Sequence, residues 1–93
     1  MLRTGREVLD VERDAIGGLA ERIGDAFVAA VRAVLESPGS VIVCGVGKSG
    51  LVARKIAATL ASTGTRAFFL HPADAAHGDV GMVSKGDVVL ALS

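Results

Sequence analysis

Three glycines, Gly45, Gly47 and Gly50, stand in G-x-G-x-x-G spacing within V-I-V-C-G-V-G-K-S-G-L-V-A-R-K, with Lys48 and Ser49 between the second and the third. The residues before them are apolar and mostly β-branched, and those after them carry helical spacing, so the glycines fall where a strand turns into a helix. Backbone amides at a helix start, with the positive end of the helix dipole behind them, attract an anion, and residues without side chains let it reach the main chain. Two nucleotide readings of this loop fail on particular residues. A dinucleotide-binding fold needs an acid at the end of the second strand to hold the ribose, but that strand ends Phe68-Phe69-Leu70-His71-Pro72. A nucleoside triphosphate loop needs a glycine where Ile42 stands. What is left is a glycine loop with one ammonium and one hydroxyl, suited to a small phosphorylated metabolite. Lys48 carries the charge. Ser49 is either a ligand hydroxyl or an ordinary helix N-cap, Cys44 reads as a small core residue, and Arg54 and Lys55 are expected at the helix surface.

Both histidines of the chain lie on one further segment, His71-Pro72-Ala73-Asp74-Ala75-Ala76-His77-Gly78-Asp79. Two imidazoles and two carboxylates beside a sheet edge could move protons or bind a metal. A helical zinc pair lies one turn apart. His71 and His77 are six residues apart with Pro72 between them, so a metal would need ligands from elsewhere. The plainer alternative is that Pro72 and Asp74 shape a short helix and His71 packs at a strand end.

The elements that must position these residues follow from periodicity. Residues 1–37 place apolar side chains at Val8, Val11, Ile16, Leu19, Ile23, Phe27, Val31 and Leu35, which is helical spacing over many turns. Thr4 with Glu7 fits a capping box, Pro38 closes the helix, and the interior glycines Gly17-Gly18 and Gly24 argue against one straight rod, with a bend or break expected near residue 17. After the turn Ser37-Pro38-Gly39-Ser40, the spacing predicts a strand over 41–44, a helix over 51–62 with Gly64 as its C-cap, and strands over 67–70 and 88–92. Strands apolar at every position imply burial on both faces, hence a parallel sheet and an α/β, doubly wound architecture. The last strand reaches the final residue with no helix to cover it and no partner for its outer edge, so a fragment of a larger domain is expected.

Composition narrows the function classes. The chain has 93 residues, 51% of them hydrophobic, which fits a folded domain and not disorder. Ten basic residues balance ten acidic ones, and aromatics make up 3% with no Trp or Tyr, so a nucleic-acid partner lacks both charge and stacking platforms. A single cysteine points to a reducing cytoplasm, and no apolar run approaches the roughly 20 residues of a membrane span.

Taken together, V-G-K-S-G, A-S-T-G-T-x-A-F-F-L-H-P, A-A-H-G-D-V-G-M-V and D-V-V-L-A-L-S resemble the sugar isomerase (SIS) domain of arabinose 5-phosphate isomerases over residues 40–93. The resemblance implies a flavodoxin-like parallel sheet, here expected to stop after the third strand, preceded by a long N-terminal helix. It implies interconversion of ribulose 5-phosphate and arabinose 5-phosphate, the supply step for the Kdo sugar of lipopolysaccharide. It marks Lys48 as catalytically important and Ser49, Gly64, Thr65, His71 and His77 as substrate contacts, with His71 also bound to an inhibitory zinc. No redox cofactor is implied, the family is tetrameric, and a pair of CBS domains follows its SIS domain. The serine-rich phosphate loop and the groups for proton transfer lie downstream in that family. These 93 residues are therefore expected to be an N-terminal part, inactive or nearly so alone, with no general base assigned in them. A regulator that senses sugar phosphates, or a non-catalytic oligomerisation fragment, are the competing expectations.

Overall fold

The computed structural model describes residues 1–93, apart from the side chains of residues 79 and 80. The chain falls into two units, Met1–Val31 and Arg32–Ser93.

Helix α1 spans Leu2–Arg22 and α2 spans Asp25–Glu36. The predicted interruption exists, but at Ile23-Gly24 and not at Gly17-Gly18. Ile23 is extended (φ −67°, ψ 126°) and its N–H closes the last turn on the Leu19 carbonyl at 3.1 Å. Asp25 then opens α2, where a carboxylate complements the positive end of the dipole. The glycine pair survives inside α1 because each costs only about 1 kcal/mol against alanine. The expected capping box is not made. α1 starts at Leu2, two residues before Thr4, and Met1 caps it without a side-chain bond. Glu7 pairs instead with Arg3 at 3.8 Å, one turn back, while Arg13 joins Asp10 at 3.0 Å and Asp14 at 3.1 Å.

The second unit holds the sheet. Strands β1 (Val41–Gly45), β2 (Ala67–Phe69) and β3 (Val88–Leu92) pair in the order β2-β1-β3, all parallel. Val41 sits opposite both Ala67 and Val88, and Val43 opposite both Phe69 and Leu90. As the central strand, β1 is the core: Val41 and Ile42 are 1% exposed and Val43 0%. Helix α3 (Lys48–Ser62) returns the chain from β1 to β2 and lays Ala53 and Ala57 on Val41 and Val43, with Val34, Ile56 and Leu60 around them. Small side chains at Ala53 and Ala57 let the helix backbone lie close to the sheet. A short helix α4 (Pro72–Ala76) and a 3-10 turn (Asp79–Met82) lead to β3.

Burial on both faces, expected for every strand, holds for β1 and fails for β3. Val89 is 54% and Leu90 37% exposed, because β3 has β1 on one side only and few described side chains over it. The two turns seen in sequence prove to be partners. Ser37 Oγ donates to the Gly86 carbonyl at 2.6 Å, and the amides of Ser40 and Ser84 each donate to the Asp87 carboxylate at 2.7 Å. The entrance to β1 is thereby tied to the entrance to β3.

Candidate functional site

Because all three strands are parallel, their C-terminal ends, Gly45, Phe69 and Leu92, lie along one edge of the sheet. The glycine loop is built there. A Cβ on Gly50 would lie 2.7 Å from the Gly45 carbonyl oxygen, and one on Gly45 would lie 2.8 Å from the Ser49 carbonyl. Only a glycine pair lets the first turn of α3 approach the end of β1 so closely. Gly47 caps α3 at φ 61°, in the left-handed region that glycine adopts without strain. Gly50 and Leu51 close the first turn on the carbonyls of Val46 and Gly47, at 3.4 and 3.2 Å.

Above this loop opens a cleft of about 310 Å³, lined by Gly45, Val46, Ser49, Pro72 and Leu92 among others. It lies where β1, β3, α3 and α4 meet. Ser49 lies in the first turn of α3 and is not its N-cap, so the capping alternative for its hydroxyl does not apply. Lys48 is the first residue of α3, exposed and immediately before Ser49, though not itself a wall of the cleft.

His71 ends the connection from β2 and caps α4. Its Nδ1 accepts the Ala73 N–H at 3.0 Å, and its ring meets Phe69 edge-on, with centroids 6.3 Å apart and planes at 74°. The short helix of the plainer alternative is present, with His71 as its N-cap. His77 closes the other end of α4 and is exposed. Asp74 lies in the first turn of α4, while the Asp79 side chain lies outside the described residues.

Gly64 and Thr65 are placed elsewhere. They follow α3 at its C-terminus, about 22 Å from Lys48 along a fifteen-residue helix. Their amides close the helix on Ala61 and Leu60, at 3.3 and 2.9 Å, in a Schellman arrangement, so the predicted C-cap glycine is present just past the cap residue Thr63. They line a separate hollow of about 390 Å³ with Arg66 and Ser40, at the opposite edge of the sheet. One copy of the chain therefore cannot bring Gly64 and Thr65 to a ligand in the cleft beside Ser49.

The zinc implied for His71 finds no ligand set here. Among the described residues no group of three His, Cys, Asp or Glu side chains could hold a metal ion. In this arrangement the Nδ1 of His71 is taken up by the Ala73 N–H. Two further features, one at each edge of the sheet, have no linear signal. Arg54, expected merely at the surface, lies with its guanidinium carbon 4.1 Å from the Phe69 ring centroid. The Asp87 carboxylate is held below its usual value by the Ser84 amide first and the Ser40 amide second, with Arg66 assisting against a small effect of burial.

The SIS domain family matches residues 34–93, which include the whole sheet, the glycine loop and both histidines. The chain belongs to the SIS domain family. Its SIS relatives include the arabinose 5-phosphate isomerase KdsD of Pseudomonas aeruginosa, 56% identical over 92 residues, covering 99% of this chain and 28% of that protein. The arabinose 5-phosphate isomerase GutQ of Escherichia coli K12 is 53% identical over 93 residues, covering 100% of this chain and 29% of its own length. The chain thus spans less than a third of the curated relatives it matches. Among solved structures, an E. coli CFT073 protein in complex with arabinose 5-phosphate superposes with a TM-score of 0.70 at 52% identity, over 72% of this chain and 36% of that one. A Bacteroides fragilis protein described as a phosphosugar isomerase involved in capsule formation superposes with a TM-score of 0.74 at 32% identity, over 92% of this chain and 50% of the other. The SIS assignment agrees with the parallel α/β sheet and the long N-terminal helix read from the sequence. Among the described residues, no helix is long and apolar enough to cross a membrane.

Proposed function

We propose that this chain contributes the glycine-loop part of a sugar-phosphate site in an arabinose 5-phosphate isomerase that interconverts ribulose 5-phosphate and arabinose 5-phosphate. The observation that carries this reading is the close approach of Gly45 and Gly50, which sets a helix start and Ser49 at a cleft on the C-terminal edge of a parallel sheet, with Lys48 adjacent to Ser49. Ligands of open α/β sheets bind at this edge. The names of the two curated relatives and the sugar-phosphate complex of the E. coli CFT073 protein support the choice of sugar.

Aldose-ketose isomerisation moves a proton between adjacent carbons through an enediolate, so the site must steady negative charge on oxygen and hold the phosphate. Lys48 brings an ammonium to the loop. Ser49 brings a hydroxyl to the wall of the cleft, and the amides of Lys48 and Ser49, ahead of the bonded Gly50 and Leu51 amides, are available to an anion. With Nδ1 occupied, His71 presents Nε2 as a hydrogen-bond donor to a hydroxyl or carbonyl, and His77 is free to do the same from the far end of α4. The general base is assigned to no residue of this chain. A contact from Gly64 and Thr65 to the same sugar would come from a second copy, which accords with a homo-oligomer, a tetramer in this reading. The setting is the cytoplasm and the product feeds Kdo for lipopolysaccharide.

The test is a titration of the ¹⁵N-labelled chain with arabinose 5-phosphate, alongside a turnover assay with ribulose 5-phosphate. The expected result is that the amides of Gly47, Lys48 and Ser49 shift while turnover stays at background. Absence of shifts at this loop up to millimolar ligand would sink the site, and measurable turnover would sink the claim that the chain is inactive alone.

A further inference from the structure

His71 stands next to Pro72, a wall of the cleft, and is joined to α3 by a contact that the reaction does not need and the sheet does not explain. We infer that Arg54 and Phe69 are positioning residues for His71, fixing the plane of its imidazole relative to the start of α3; the inference rests on the reading of His71 as a substrate contact. The Ala73 N–H fixes only one point of the ring, Nδ1, at 3.0 Å. A ring pinned at one nitrogen can still pivot about that hydrogen bond, and the direction of Nε2 swings with it. Phe69 supplies the second constraint, edge-on to the imidazole with planes at 74° and centroids 6.3 Å apart, an arrangement that aromatic pairs favour.

Phe69 is in turn held from α3. Its Cζ lies 3.9 Å from the point where a Cβ of Gly50 would stand, so the ring sits at contact distance beside the first turn of the helix. One turn farther on, the Arg54 guanidinium carbon covers the ring face at 4.1 Å from its centroid, a cation–π contact. The order Arg54, Phe69, His71 therefore runs from the helix that carries Lys48 and Ser49 to the imidazole on the next connection. Arg54, Phe69 and His71 are not walls of the cleft, while Pro72, next to His71, is one, so any effect of Arg54 on a ligand there passes through this stack.

The experiment uses NMR of the labelled chain, whose two histidines are told apart with His77→Gln. In the parent the His71 ring protons carry the ring-current shift of Phe69, and the Ala73 amide is protected. Phe69→Leu and Arg54→Ala are expected to move the His71 ring protons towards the positions of an unstacked imidazole, and to weaken arabinose 5-phosphate binding about three- to tenfold. Phe69→Tyr and Arg54→Lys restore both, which a purely structural role would not require. Arg54 is exposed, so its variants keep the fold even if Phe69→Leu does not. His71 ring protons that stay in place in Arg54→Ala would overturn the inference, since Phe69→Leu removes the ring current itself. The ligand-free spectra decide this point by themselves: if they shift as expected while arabinose 5-phosphate binds nowhere, the positioning stands and the proposed function falls.

Discussion

Gly50→Ala sets two known effects against each other, and the structure says which wins. Alanine is the better helix former by about 1 kcal/mol, and it also narrows the unfolded ensemble, so in an open helix the change stabilises. At Gly50 the new methyl would stand 2.7 Å from the Gly45 carbonyl oxygen and 3.3 Å from its carbon. Both neighbours are backbone, and neither can rotate out of the way as a side chain would. Such overpacking costs about 1–3 kcal/mol, so the net effect is a loss of up to about 2 kcal/mol. In a domain of this size that lowers the melting temperature by as much as about 15 °C. Gly17→Ala is the control, because nothing lies within 4 Å of a Cβ there and only the helix gain of about 1 kcal/mol remains. Urea denaturation followed by circular dichroism compares the two variants, and arabinose 5-phosphate titration reads the effect on the loop. A Gly50→Ala chain as stable as Gly17→Ala, with unchanged ligand shifts, would mean that β1 and α3 do not approach as described, and the cradle argument would fail with it.

Asp87 predicts an acid limb. Its carboxylate is depressed below the usual 3.8 by the Ser84 and Ser40 amides, so its contribution is fully present above that value and is lost as pH falls through the lower, folded-state value. Asp87→Asn should flatten the denaturation midpoint between about pH 2 and 5 and lower it at neutral pH; an unchanged profile would remove the latch between Ser40 and Ser84 from the account. Lys48→Ala, at the exposed first position of α3, should leave stability within about 0.5 kcal/mol while lowering turnover of the active isomerase by orders of magnitude. An unfolded Lys48→Ala beside a fully active His77→Ala would reverse the site assignment.

Much of the local structure was legible in the one-dimensional pattern. The β-branched run Val41–Val43 read as a buried strand, Ser37-Pro38-Gly39-Ser40 as a turn, and G-x-G-x-x-G before a helical stretch as a loop between strand and helix, and each is found there. Helix starts were the weakest part. Thr4 and Glu7 satisfy a capping box on paper, yet Glu7 pairs with Arg3 and the helix begins earlier. Ser49 likewise looks like a cap and is already inside α3. Cap choices turn on hydrogen bonds worth about 1 kcal/mol, small enough for neighbouring charges or a well-placed glycine to redirect them.

Strand identity, helix identity and the glycine loop are properties of side-chain period and backbone freedom, and these are written residue by residue in the chain. The strand order β2-β1-β3, the bond between the two turns through Asp87, and the stack of Arg54 on Phe69 beside His71 join residues far apart in the chain and left no linear trace. The separation of Gly64 and Thr65 from Lys48 belongs with them, because a parallel crossover must carry the chain back across the whole sheet before the next strand can begin. Long-range contacts exist only once the core has packed, and it is the packing of Val41 and Val43 on Ala53 and Ala57 that decides which distant residues share an edge.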